Sequence, residues 1–154
     1  MKIILDGMGG DNAPYAVVEG AVLASKEIEH QILIIGKEEL INEELKKYSY
    51  DGEKIKVVHA EEVISNDDAP VRAVRSKKNS SIVMGINMVK RGEGDIFISA
   101  GSTGALLAGG LFILGRIQGI DRPAYPRYWA ACLRCWWTQE PIPTASRTIC
   151  LNSE

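Results

Sequence analysis

Hydrophobic positions in the first 124 residues switch repeatedly between two spacings. Short, β-branched and almost continuously apolar runs at 2–6, 31–36, 56–59 and 95–99 predict strands buried on both faces of a parallel sheet. Between them the apolar residues recur at helical spacing. The 14–25 run places Ala16, Val17, Gly20, Ala21 and Ala24 on one stripe, and 38–47 turns Leu40, Ile41 and Leu45 inward. The 81–91 run carries Ile82, Ile86 and Val89, and a further helical run covers 106–114. Local signals agree with these limits. Pro14 is tolerated in a first turn, Ser80 can cap the 81–91 helix, and Gly92 can stop it. Strands alternating with helices predict an α/β fold, a parallel-sheet sandwich with helices on both faces. In such sheets ligands bind beyond the carboxyl ends of the strands.

One run imitates a membrane span, since 96–115 is twenty residues without a charge. Ser99-Ala-Gly-Ser-Thr-Gly104 lies inside it, and in lipid that turn would leave backbone groups unpaired. A buried strand, turn and helix is expected instead.

The chain changes character near residue 124. All 15 glycines lie at or before Gly119 and every lysine at or before Lys90, whereas all 3 tryptophans and all 3 cysteines come after Ala124. The last thirty residues keep no sustained period, and Pro126, Pro141 and Pro143 interrupt any element drawn through them. The expected organisation is therefore one α/β unit over 1–124 and a tail, 125–154, without a domain of its own. The tail reads as an irregular extension, a cysteine-rich metal or redox segment, or sequence out of frame. Cys132-Leu-Arg-Cys135 has the spacing of a metal or redox pair, but only Cys150 stands near it and the tail holds no histidine. The joint loss of lysine and glycine favours the out-of-frame reading.

Composition narrows the function. With 45% hydrophobic and 25% charged residues the chain is that of an ordinary globular protein, and a net charge of −2 gives no electrostatic case for nucleic acid. No secretory leader is read, because Asp6 ends the first apolar run. No metal site is expected.

The chemistry is concentrated in two glycine turns that follow strands. Gly7-Met-Gly-Gly-Asp-Asn12 begins like a dinucleotide fingerprint but lacks its third glycine, and the second strand ends in Gly36-Lys37 without an acidic residue. It reads as an oxyanion cradle built on Gly9, Gly10 and Asp11, or as a tight turn with Asp11 as a cap. Ser99-Ala-Gly-Ser-Thr-Gly104 offers three hydroxyls and two glycines at a helix start. Gly101 and Gly104 allow close backbone approach, and Ser102 or Thr103 can cap the helix or bind an oxyanion. There is no G-x-S-x-G elbow, which argues against a serine nucleophile. The two mouths are expected to converge on one negatively charged reactant at the rim of the sheet.

Between the turns, Asp67 and Asp68 are adjacent and would diverge in any regular element. Arg72, Arg75, Lys77 and Lys78 then make a cationic stretch beside hydroxyl residues. It suits phosphate or an acidic carrier, or equally a solvated face. His30 and His59 read as structural or exposed.

These segments, in this order, resemble the PlsX family of bacterial phosphate acyltransferases. The matching stretches are Asp6-Gly-Met-Gly-Gly-Asp-Asn-Ala-Pro14, Val58-His-Ala60, Asp67-Asp-Ala-Pro70 with Arg75, Lys77 and Ser80-Ser81, Ser99-Ala-Gly-Ser-Thr-Gly-Ala105, and Gly115-Arg-Ile-Gln-Gly-Ile-Asp-Arg-Pro-Ala124. Many members carry Asn in the second turn where this chain has Ser102. The resemblance implies transfer of a fatty acyl group from acyl carrier protein to inorganic phosphate, on an isocitrate/isopropylmalate-dehydrogenase-like fold. It implies a cytoplasmic homodimer, peripheral at the inner membrane surface near the glycerol-3-phosphate acyltransferase that consumes acyl phosphate, and no cofactor. Substrate-binding positions implied by the match are Asp6, Gly9, Gly10, Asp11, Arg75, Lys77, Ser80, Ser99, Gly101, Ser102, Thr103 and Gly104, with no catalytic acid or base assigned. The family continues beyond the match, so the chain reads as an N-terminal part with an exposed apolar sheet edge and low or no activity of its own. Two other classes fit parts of the same pattern: a non-catalytic module binding phosphate or carrier, and a nucleotide-binding oxidoreductase relative.

Overall fold

A computed structural model describes residues 1–116 and 118, together with the backbone of two strands within 126–137. The chain divides into two units, Met1–Leu114 and Gly115–Glu154.

The first unit is an α/β layer structure. In chain order it comprises β1 (Lys2–Asp6), α1 (Tyr15–Glu27), β2 (Gln31–Gly36), α2 (Glu38–Leu45), β3 (Ile55–His59), α3 (Pro70–Ser76), α4 (Ser81–Lys90), β4 (Ile96–Ile98) and α5 (Thr103–Gly109). A π-helical turn, Gly110–Leu114, extends α5. The four strands are all parallel, in the order β3-β2-β1-β4. Ile3 pairs with Ile32 on one side and Ile96 on the other, and Leu5 pairs with Ile34 and Ile98.

β2 shows why these runs are strands. Ile32 and Ile34 join Val18, Ala21, Val22, Ile41, Leu45 and Ile55 in a core beneath α1 and α2. The alternate residues Leu33 and Ile35 pack on the other face with Ile4, Ala60 and Met88 of α4. A strand covered on both faces has no polar side, and so its run is apolar throughout. Each such isoleucine contributes about 1.5–3 kcal/mol by leaving water. A third cluster joins Ala73 and Val74 of α3, Ile82, Val83 and Ile86 of α4, and Ala105 and Ala108 of α5.

Several expectations are corrected. The buried stripe of α1 is Val18, Ala21, Val22 and Ser25, because the sheet takes the β-branched side of the helix instead of the alanine and glycine side. Leu40 is 41% exposed, and its place inside α2 is taken by Glu44, whose carboxylate is paired with Lys47. α3 was not among the expected helices. It begins at Pro70 with Ala69 extended before it, a first-turn proline whose missing N–H leaves no bond unmade. Ser80 does cap α4, accepting a hydrogen bond from the Val83 N–H.

The second unit contains an antiparallel pair, β5 (Pro126–Trp129) and β6 (Cys132–Trp137), where no regular element was expected. Aromatic and cysteine-rich runs suit strands without strict alternation, and Pro126 sits at a strand's first residue, where proline is tolerated. Cys132 and Cys135 fall within one strand, not at the turn into a helix that a thioredoxin-like pair requires. The rest of the 125–154 segment, and the Ile120-Asp-Arg-Pro-Ala124 stretch, lie outside the described residues.

Candidate functional site

The strand order decides where a ligand can sit. The chain winds from β1 through β2 to β3, then returns to place β4 on the opposite side of β1. In open parallel sheets ligands are expected beyond the carboxyl ends of the strands where the winding reverses, which here means β1 and β4. Both glycine turns emerge there. His59 ends β3 at the far edge of the sheet and is exposed, so it does not join them.

Asp6, the last residue of β1, is only 2% exposed. Its Oδ1 accepts a hydrogen bond from the Met8 N–H at 3.1 Å, and its Oδ2 accepts one from the Ser99 hydroxyl at 2.6 Å. The Ser99 oxygen in turn accepts from the Gly101 N–H at 3.1 Å. One buried carboxyl thus ties the first turn to the second across 93 residues of sequence.

The glycines permit that junction. A β-carbon on Gly9 would stand 2.5 Å from Asp6 Oδ2 and 2.8 Å from the Gly101 nitrogen. One on Gly101 would stand 3.2 Å from the Gly9 α-carbon. The two turns therefore meet backbone to backbone. Gly10 has φ +102°, a left-handed conformation that glycine adopts without strain, and it lies over Ala100.

Around this junction, Ser102 caps α5 by accepting from the Ala105 N–H at 3.4 Å and is 6% exposed. Thr103 and Asp11 are exposed at the surface of the mouth. The amides of Gly10, Thr103 and Gly104 donate to no acceptor among the described residues.

Three of the sequence-derived candidates lie outside the turns. Lys77 donates to Asp68 Oδ2 at 2.6 Å and to the Val63 carbonyl at 2.9 Å. That bond, with the Ser65 N–H, holds the Asp68 carboxyl below its ordinary range. Ser80 is fully buried and donates to the Lys77 carbonyl at 2.8 Å while capping α4. Both residues are engaged in holding the 61–81 segment in shape. Arg75 is exposed, its guanidinium 5.1 Å from the centre of the Phe112 ring.

Sequence reasoning missed the groove beside α3. It has a volume of about 610 Å³ and is lined by Ala69, Pro70, Val71, Arg72, Arg75 and Ser76. Pro70 also touches the second turn, since a β-carbon on Gly104 would stand 2.7 Å from its ring. The available signal was Ala69-Pro70, a helix start directly before the cationic stretch.

A family model described as fatty acid synthesis protein matches residues 1–129. The chain belongs to this family. Among curated relatives, a phosphate acyltransferase of Clostridioides difficile is 57% identical over 123 residues, covering 80% of this chain and 36% of the relative. One of Alkaliphilus oremlandii is 55% identical over 124 residues, covering 80% and 37%. One of Clostridium beijerinckii is 58% identical over 125 residues, covering 80% and 38%. The chain thus spans little more than a third of the length of the curated relatives it matches. The stretch shared with these fatty acid synthesis proteins contains both glycine turns and the whole parallel sheet.

Proposed function

We propose that this chain carries the phosphate- and thioester-facing mouth of a phosphate acyltransferase, which converts acyl carrier protein thioester and inorganic phosphate to acyl phosphate and free carrier. The observation that carries the reading is the backbone contact of Gly9 and Gly101 around the Asp6–Ser99 bond, at the reversal point of the sheet. The curated relatives, phosphate acyltransferases, supply the reaction class.

In the proposed reaction a phosphate oxygen attacks the thioester carbonyl carbon. The new C–O bond forms, negative charge develops on the carbonyl oxygen, and the C–S bond breaks to release the carrier thiolate, which takes up a proton. Amides of Gly10, Thr103 and Gly104 are placed to receive negative charge, and donors fixed before the reaction lower its barrier without reorganising. Seating phosphate beside the thioester removes much of the entropic cost of a two-body step. Asp6 and Ser99 hold the two turns together, Asp11, Ser102 and Thr103 edge the mouth, and Lys77 and Ser80 brace the segment that carries Arg75. The chemistry as written uses neither metal nor nicotinamide.

The same reading takes the sheet as the start of an isocitrate/isopropylmalate-dehydrogenase-like architecture that the longer relatives complete. It includes a homodimer in the cytoplasm, peripheral at the inner membrane surface beside the glycerol-3-phosphate acyltransferase that uses acyl phosphate. It also takes residues 125–154 as an out-of-frame tail and the chain's own turnover as low. No helix among the described residues is long and apolar enough to cross a membrane.

The deciding measurement is phosphate-dependent release of carrier thiol from long-chain acyl carrier protein by an enzyme of the relatives' full length that carries residues 1–124 of this chain. Release that saturates with phosphate supports acyl transfer. Carrier binding without release replaces it by a non-catalytic module, and an NAD-dependent absorbance change replaces it by an oxidoreductase.

A further inference from the structure

We infer that the groove along α3 is the docking surface for an acidic amphipathic helix of the carrier protein, with Arg72 and Arg75 as its charge-reading residues. The inference rests on the carrier partnership proposed above and adds where that partner binds.

Three observations carry it. First, the charge is local and unbalanced: the whole chain carries −2, yet residues 70–81 hold four cations and no acid. Lys77 is neutralised by Asp68, whereas Arg72, Arg75 and Lys78 form no ion pair among the described residues and are exposed. Second, the groove is apolar between those cations. Ala69, Pro70 and Val71 line it, and Val71 is left 45% exposed. Beneath Arg75 the Phe112 ring is 50% exposed, so the apolar surface continues past the arginine. An apolar floor rimmed by positive charge is complementary to a helix with an apolar stripe and acidic flanks. Third, Pro70 belongs to both the groove and the Gly104 contact. A carrier seated there would bring its thioester arm toward the glycine mouth, where docking serves the chemistry.

A purely electrostatic patch would be dispersed over the surface, and a purely apolar one would have no reason to choose the carrier. Together they give steering and register, and the electrostatic part must weaken with salt.

The test is fluorescence anisotropy of labelled acyl carrier protein titrated with the full 154-residue chain. Expected are binding that weakens as salt is raised and a loss of about tenfold in affinity for Arg72→Glu/Arg75→Glu. The single Arg72→Gln, at an exposed position, is expected to cost about threefold with circular dichroism unchanged. Lys46→Glu, at the residue that follows α2, makes the same sign of charge change and is expected to leave affinity within about twofold. Carrier binding that is absent, or unaffected by either arginine variant, overturns the inference. So does arginine-dependent binding to anionic phospholipid vesicles in place of the carrier, which would make the groove a membrane contact. Groove-dependent carrier binding with no thiol release by the enzyme of full length leaves the docking surface standing and removes the transfer reaction. Thiol release with arginine-independent binding does the reverse.

Discussion

The two glycine turns both follow parallel strands, yet the fold supports them very differently. β1 lies between β2 and β4, and the start of its turn is packed tightly against β2 and α2: a β-carbon on Gly7 would stand 2.8 Å from Ile34, 2.9 Å from the Ile35 carbonyl oxygen and 2.9 Å from Ile41. β4 is three residues long, pairs with β1 alone among the described strands, and leaves Ile96 38% and Ile98 51% exposed. The first turn is thus a platform held by the core. The second is held by the first, through the Asp6–Ser99 bond and the Gly9–Gly101 contact. Glycine in the first turn is demanded by the protein's own packing. In the second turn packing asks for glycine as well, since a β-carbon on Gly104 would stand 2.7 Å from the Pro70 ring, but the demand is milder at Gly101, whose nearest neighbour is the Gly9 α-carbon at 3.2 Å.

That asymmetry can be broken by substitution. Gly9→Val should have the largest effect, about 3 kcal/mol or more, because its β-carbon meets a buried carboxyl and a backbone nitrogen that cannot move aside. Gly101→Val should cost less stability while impairing phosphate-dependent thiol release. Urea midpoints that rank the two the other way would dissolve the distinction between platform and dependent turn.

Next comes the link itself. Asp6→Ala removes the acceptor of both the Met8 N–H and the Ser99 hydroxyl in a buried site, at about 1–3 kcal/mol. Ser99→Ala, which keeps the Met8 bond, should cost less. A double variant no worse than Asp6→Ala would show that both act through one contact.

Smaller still is the loss of the cap on α5. Ser102→Ala should destabilise by about 1 kcal/mol and reduce thiol release less than Gly104→Val, whose β-carbon meets the Pro70 ring. Equal activity of these two variants would remove close backbone approach from the explanation.

The least effect belongs to the 61–81 segment. The Lys77 bond, with help from the Ser65 N–H, depresses the Asp68 carboxyl from 3.8. A carboxyl held lower in the folded chain than in the unfolded one adds stability above its unfolded value, and that increment disappears as pH falls through the folded value. Thermal melts of Lys77→Ala against the parent should therefore differ slightly at neutral pH and converge in acid. A gap that persists in acid strong enough to protonate Asp68 in the folded chain would assign the effect to the Val63 carbonyl bond instead.

Much of this architecture was legible in the chain. β1 and β2 occupy the runs expected of them, and β3 and β4 differ by a residue at their ends; burial on both faces, expected of all four, holds for β2, whereas the edge strands leave Lys56 of β3 and Ile96 and Ile98 of β4 exposed. The α1 stripe was misread because alanine and glycine are apolar enough to mark a face but bury little area, while Val18 and Val22 bury more. β5 and β6 were missed because strand preference there rests on aromatic content without alternation. Of the candidate site, the glycine turns stood out individually. Nothing in the linear order indicated that Lys77 would be occupied by Asp68, or that Ser80 would be sealed in the core.

The sequence alone determined that the chain alternates strands and helices, that two of its strands end in glycine turns, and that positive charge gathers between those turns. Each is a local property, written in side-chain spacing and in backbone freedom. The tertiary structure alone decided that β4 lies beside β1, that Asp6 reaches Ser99, and that Pro70 leans on Gly104. These are contacts between residues far apart in the chain. They form because the reversal of strand order brings two carboxyl ends together, and no local pattern encodes which strands become neighbours.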